Sequence, residues 1–308
     1  MSSELLSKLI ALILLYKYKL PQKKVSTILL EISSVGDIEP IQRSNVNDFF
    51  SNSSIDLPIF TENDWDFGQS LYEKNLDDGI NILVVTEQGY PKYLKVIKDA
   101  PPLLFVKGNQ DIFKDLPGVA IVGARECSDN GVKIAKRLAA HVVEHDWVVV
   151  SGLALGIDAA AHTGALESAG KTIAVLASGL DKPTPLSNAQ LGYEILEKDG
   201  AWVSEHSIGI PAQKHHFVPR NRIQIGLSAG SIIVEAAIKS GSLSQARFCV
   251  GQNRPLFAVA PINPSNPHGL NCAGTLHMVD EMGAIAIRTK DDYPKLLELL
   301  NKQRSLIV

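Results

Sequence analysis

From Val119 onward, short apolar runs recur at a regular interval: VAIVG, WVVVS, TIAVLA, AWVSE, SIIVEA, LFAVA and AIAI. Segments of helical length separate them, among them NGVKIAKRLAAHVVEHD, DAAAHTGALESA, NAQLGYEILEKD and GSLSQARFCVGQ. The runs are continuous in Val, Ile and Ala rather than alternating apolar with polar, which marks strands covered on both faces. Such strands need helices above and below the sheet. This part of the chain is therefore constrained to an α/β fold, a doubly wound, mostly parallel sheet of Rossmann-like type. YPKLLELLNKQ supplies the last helical segment.

The first hundred residues are organised differently. LLSKLIALILLYKYKL and QKKVSTILLEI read as helices, with Pro21 between them where a helix has to stop. Residues 51–66 are polar with scattered Pro, Ser and Asn, a linker composition, and INILVVTE and LLFVKG follow as short β-rich runs. The expected division is a small helical N-terminal domain with its linker over 1–76 and the α/β domain over 77–308. With 308 residues and 45% hydrophobic content, the chain can build a sizeable core. The apolar run LIALILLY is far shorter than the roughly 20 residues that span a bilayer, and no small-residue cleavage site follows it. The expectation is a soluble cytoplasmic protein with no membrane contact. Cys127, Cys249 and Cys272 are odd in number and lack CxxC or Cys/His spacing, which supports neither a disulfide framework nor a zinc site. A net charge of -3 excludes a protein that is basic all over, and leaves a local patch to be found.

In a doubly wound sheet, ligands sit at the carboxyl ends of the strands. Four segments there stand out. Gly123 and Arg125 follow VAIV: the glycine permits a sharp turn, and the guanidinium is either a solvated surface group or a fork for phosphate. Ser151 and Gly152 open SGLALGID, where a helix start with Asp158 in its first turn is either a phosphate site or a tightly packed turn. GLALG is not GxGxxG, so a dinucleotide cofactor is not expected. The third segment, between Glu205 and Glu235, holds no carboxylate but carries Lys214, Phe217, Arg220, Asn221 and Arg222. Cations beside an exposed aromatic suit single-stranded nucleic acid; the alternatives are a core Phe217 and an arginine paired with a distant carboxylate. Adjacent His215 and His216 diverge and have no third ligand at a helpful spacing, so no metal is expected. The fourth, Ser240, Gly241 and Ser242, opens another helix as an anion-receptive N-terminus or a plain serine cap. No GxSxG elbow or P-loop is present, and no catalytic residue or cofactor is assigned.

These segments, taken in order from about Gly79 to Ala286, resemble the DprA (Smf) family of bacterial DNA-processing proteins. The resemblance is carried by YPKYLKVIKDAPPLLFVKGN, VAIVGAR, SGLALGIDAAAHTGAL, TIAVLASGLD, SEHSIGIP, FVPRNRIQIGLS and VEAAIKSGSLSQA. It implies an extended Rossmann-like fold that binds and protects single-stranded DNA, forms a homodimer, and helps load the RecA recombinase in natural transformation. It further implies a DNA pocket containing Arg125, Lys214 and Phe217, with a weaker carry-over to Arg220, Asn221, Arg222 and the Ser240–Ser242 turn. This chain departs from the family at Leu155, where relatives often carry a cation, at PTPLSN, and in the longer PINPSNPHGLN loop. A C-terminal winged-helix domain is not expected after Ile287. The rival readings are a phosphoribohydrolase-like enzyme on the same fold and a nucleotide sensor. The hydrolase hallmark PGGxGTxxE requires a glutamate inside a helix start, where this chain has Gln245, with Glu235 before the turn.

Overall fold

The computed structural model describes residues 2–36, 42–52 and 57–306. The N-terminal segment forms α1 (Ser3–Leu12), which is capped by the Ser2 hydroxyl accepting from Leu5 N and runs into a π turn over Ile13–Lys17. Three further helices follow, α2 (Gln22–Gly36), α3 (Val46–Asn52) and α4 (Glu62–Asp77). Pro21 stands just ahead of α2, outside either helix, as its missing N–H requires. The linker composition of 51–66 misleads at its far end, since α4 starts at Glu62. The Asp64 carboxylate accepts from Thr61 N at 2.7 Å, and Trp65 is buried, so capping and one large apolar side chain override the polar composition. Residues 53–56 of that segment lie outside the described residues.

The apolar runs from Val119 onward, with INILVVTE and LLFVKG before them, become strands, whereas LIALILLY is helical. Among the described residues the strands are β1 (Ile80–Val84), β2 (Leu103–Gly108), β3 (Gly118–Val122), β4 (Val149–Ser151), β5 (Thr172–Val175), β6 (Ala201–Ser204), β7 (Ser228–Ile233), β8 (Leu256–Val259) and β9 (Ile285–Ile287). They form one sheet in the order β1-β2-β6-β5-β4-β3-β7-β8-β9. The sheet is parallel from β6 to β9, with β1 and β2 antiparallel at one edge. The remaining helices are α5 (Lys92–Lys95), α6 (Asp129–Val143), α7 (Ile157–Glu167), α8 (Ala189–Glu197), α9 (Phe217–Gly226), α10 (Gly241–Gly251), α11 (Ala273–Glu281) and α12 (Tyr293–Ser305).

Strand β3 shows why its run is apolar throughout. Val119 and Ile121 pack with Leu138, Ala161 and Leu300 of α6, α7 and α12, whereas Ala120 and Val122 pack with Ile225, Leu243 and Ala246 of α9 and α10. A third core joins Ile10, Leu14 and Trp65 of the N-terminal helices to Ile82, Phe105 and Trp202 of β1, β2 and β6. After β3 the chain steps outward through β4, β5 and β6, then returns to place β7, β8 and β9 on the other side of β3. The connections leaving β3 and β7 thus diverge, and a crevice opens between their carboxyl ends.

Candidate nucleic-acid interface

The turn after β3 is held from both sides. Ala124 N donates to Glu235 O at 2.8 Å, and Ala124 O accepts from Ile157 N at 3.2 Å. Gly123 is required because a Cβ there would meet Glu235 O at 2.9 Å and Ile157 Cγ1 at 2.8 Å. Glu235 is fully buried; its carboxylate accepts from Ser128 N at 3.0 Å, Ser128 Oγ at 2.6 Å and Asn271 N at 3.2 Å. It bolts two loops together. With the turn fixed, Arg125 projects into solvent and its guanidinium lies 5.2 Å from the centre of the Phe217 ring, a cation–π contact between the β3 turn and the start of α9.

The SGLALG stretch lies behind this surface. Ser151 Oγ donates to Ile121 O at 2.7 Å within the core, and Gly152 N donates to Asp158 Oδ2 at 3.1 Å. The Gly152 N–H is consumed by the first-turn aspartate, as in the packed-turn alternative. Gly152 O accepts instead from Arg220 Nη1 at 3.0 Å, and Val175 O accepts from the same nitrogen. Arg220 is 5% exposed and faces Asp158. Burial lowers the guanidinium pKa to about 10 and raises that of the Asp158 carboxyl, while Arg220 and the backbone N–H groups of Gly152, Ala154 and Gly123 oppose the latter shift. At neutral pH Arg220 remains charged, as a pin between β5, the SGLALG turn and α9.

Arg222 leaves the site altogether. Its guanidinium donates to Glu205 Oε1 and Oε2 at 2.9 and 2.6 Å, to Gln22 Oε1 at 3.0 Å and, through Nε, to Asp99 O at 2.9 Å. This is the arginine paired with a distant carboxylate. Helical geometry explains the split: on α9, Arg220, Asn221 and Gln224 fall within about 60° of Phe217, whereas Arg222 lies about 140° away. Lys214 sits exposed in a 3₁₀ turn with His215 and His216, outside the lining of the crevice. The ring of His216 stacks on His206 with centroids 4.1 Å apart. Among the described residues no His, Cys, Asp or Glu group could hold a metal ion.

What converges is a cleft of about 400 Å³ at the switch point between β3 and β7. Gly123 and Arg125 come from the β3 turn, Phe217, Arg220 and Asn221 from α9, and Ser240, Gly241 and Ser242 from the start of α10. Asn221 Nδ2 donates to Gly241 O at 3.4 Å, tying the last two walls together. Ser151, Gly152, Lys214 and Arg222 are outside the lining. The floor contains Gln224 and Gln245, each 1% exposed. Gln224 was not singled out in the sequence; its signal was the seven-residue spacing from Phe217, visible only once Phe217–Gly226 is taken as a helix.

The fold and this cleft define a doubly wound α/β protein with a ligand crevice at its switch point, rimmed by a cation and an aromatic ring. The chain belongs to the DNA recombination-mediator protein A family, whose model matches residues 81–298. It is 43% identical over 175 residues to "DNA processing protein DprA" of Streptococcus pneumoniae, a match covering 57% of this chain and 61% of that protein's length. Among solved structures, DNA processing protein A from S. pneumoniae superposes with a TM-score of 0.68 at 31% identity, covering 88% of this chain and 92% of that one. A structure described as giving insight into the unique single-stranded DNA binding mode of DNA processing protein A from Helicobacter pylori superposes with a TM-score of 0.62. It is 31% identical and covers 71% of this chain and 96% of that one. The family's description names mediation of DNA recombination, and the relatives are named for DNA processing.

Proposed function

We propose that this chain binds single-stranded DNA across the carboxyl ends of β3 and β7, protects it, and delivers it to a RecA-type recombinase as a homodimer in the cytoplasm. The observation that carries the reading is the exposed Arg125 held over the Phe217 ring at the mouth of the switch-point cleft. A guanidinium suits a phosphate, and an adjacent aromatic face suits a base, so the two together match one unpaired strand rather than a duplex. The H. pylori relative, described by its single-stranded DNA binding mode, supports the ligand class. Among the described residues no helix is long and apolar enough to cross a membrane.

The hydrolase alternative needs an acid at the start of α10; Glu126, which also lines the cleft, is exposed on the β3 turn instead. Glu235 is spent on Ser128 and Asn271, Asp158 on backbone N–H groups, and the α10 position carries the amide Gln245.

Arg125→Ala and Lys214→Glu are each expected to weaken oligodeoxythymidylate binding by about tenfold or more at moderate salt, with a shallower salt dependence than the parent chain. Fluorescence anisotropy across a salt series measures this. Unchanged affinity in both variants overturns the placement of the strand. Light scattering tests the dimer, and a RecA filament-assembly assay tests delivery.

A further inference from the structure

Helix α10 starts in the switch-point cleft and, about 16 Å further on, ends beside a second cavity of about 320 Å³ next to the entry of β8. The walls of this cavity come from the segment after α5, from α9 and from the end of α10. Three hydrogen bonds fix them to one another: Arg222 Nε donates to Asp99 O at 2.9 Å, Gln252 Nε2 to Arg222 O at 3.1 Å, and Arg254 Nη2 to Tyr93 O at 3.0 Å. The carbonyls of Phe248, Cys249 and Val250 accept from the N–H groups of Gln252, Arg254 and Asn253, so the negative end of α10 is spent on its own chain.

The cavity is cationic. Arg254 in its lining is 5% exposed, yet among the described residues no carboxylate pairs with it: its Nη1 donates to Ser228 O, its Nη2 to Tyr93 O, and its guanidinium lies 5.6 Å from the centre of the Tyr93 ring. Burial lowers its pKa to about 10, which leaves it charged at neutral pH. A buried guanidinium is ordinarily matched by a carboxylate, as Glu205 matches Arg222; for Arg254 the chain supplies none. Lys98 and Arg247, also in the lining, are exposed and free of ion pairs among the described residues, against the one carboxylate of Asp99. The stretch that holds α10 adds no acid, since none stands between Glu235 and Asp280. Val96 at 64% exposure, Ile97 and Phe248 supply an apolar part of the lining.

Cations beside exposed apolar side chains in one concave site select an acidic peptide over a nucleic-acid backbone. Carboxylates match guanidinium and ammonium groups, while an apolar residue of the same peptide covers surface that a phosphodiester backbone leaves wet. We propose that this cavity docks an acidic segment of a partner protein, with its carboxylates on Arg247 and Lys98 above Arg254 and one apolar side chain against Val96 and Phe248. The site is separate from the strand-binding cleft and does not depend on that reading. One molecule can therefore hold a strand and a protein partner at the two ends of α10.

Fluorescence anisotropy tests this with a labelled peptide in which Leu-Phe is flanked on each side by paired aspartates, a counterpart with lysines for the aspartates, and one with serines for Leu-Phe. The parent chain is expected to bind the first about tenfold more tightly than either control. Lys98→Glu and Arg247→Glu together should weaken it by about tenfold or more, and Val96→Ser by about three- to fivefold. All three side chains are exposed, so the melting temperature should stay at the parent value. Oligodeoxythymidylate affinity should be unchanged in these variants, and Arg125→Ala should leave peptide affinity unchanged. Equal affinity for the acidic peptide and either control overturns the site. If the doubly reversed chain loses strand affinity as steeply as peptide affinity, the occupant is a DNA backbone; if its mass by light scattering falls to half that of the parent, the occupant is a second copy. Either result overturns the peptide. A parent chain that binds the acidic peptide but no strand upholds this site while the strand reading fails.

Discussion

Gly156 carries φ +76° as the residue before α7, and a Cβ there would run into the carbonyl oxygens of Ala124 and Arg125. The second glycine of GLALG therefore serves the neighbouring turn rather than a ligand: it lets α7 start against the backbone that presents Arg125. Its neighbour Leu155 points outward at 46% exposure, an apolar side chain where relatives often place a cation. Leu155→Arg adds a charge on the ligand-facing end of the sheet without disturbing any buried contact. It is expected to tighten single-strand binding roughly two- to fivefold, the range of an exposed ion pair. The salt dependence should steepen by about 0.7 in the logarithmic slope, as for one added phosphate contact. A salt series by anisotropy reads both; an unchanged slope means that the strand does not pass this position.

Helix α9 divides its residues between recognition and architecture. Phe217, Asn221 and Gln224 face the cleft, while Arg222 on the opposite side joins Glu205 and, through Gln22, the N-terminal helices. Burial alone would raise the Glu205 pKa, but its hydrogen bonds and charge interaction with Arg222 hold it below the ordinary value. The pair stays ionised. Arg222→Ala leaves a buried carboxylate unmatched and is expected to cost about 3–5 kcal/mol of stability, measured by denaturant unfolding, with strand affinity per folded molecule preserved. A loss of affinity with full stability would return Arg222 to the interface. In the sequence, FVPRNRIQIG shows a basic cluster, and charge alone cannot separate Arg222 from its neighbours. The separation is a matter of helical phase, and Pro219 together with a weak apolar pattern conceals the helix. α4 is concealed by its polar composition in the same way, and only its capping and the buried Trp65 disclose it.

The whole molecule carries a pH dependence in its buried histidines. His162 is fully buried beside Thr172 at 2.7 Å, and burial lowers its pKa from 6.5 to about 3; burial likewise lowers His206 to about 4. The unfolded chain takes up protons on both below about pH 6.5, whereas the folded chain refuses them until near pH 4 and below. Stability is therefore complete above pH 6.5 and is lost as the pH falls toward 4. The denaturant midpoint should be lower at pH 5 than at pH 7, and His162→Gln should flatten that slope; coincident midpoints in the parent chain contradict the neutral burial. At this scale the sequence by itself determined the sheet, because strands covered on both faces must be apolar at every position, and the runs from VAIVG to AIAI record that requirement directly. It also marked the turns at Gly123 and Ser240 as the ends where a ligand would sit. The tertiary structure alone decided which polar residues were committed inward. Ser151, Arg220 and Arg222 find carbonyl or carboxylate partners 17 to 45 residues away, in Ile121, Val175 and Glu205, and Gly152 N is taken by Asp158, leaving Arg125 and Phe217 at the cleft. Hydrogen-bond satisfaction depends on distances across the fold, and no local pattern of residues encodes it.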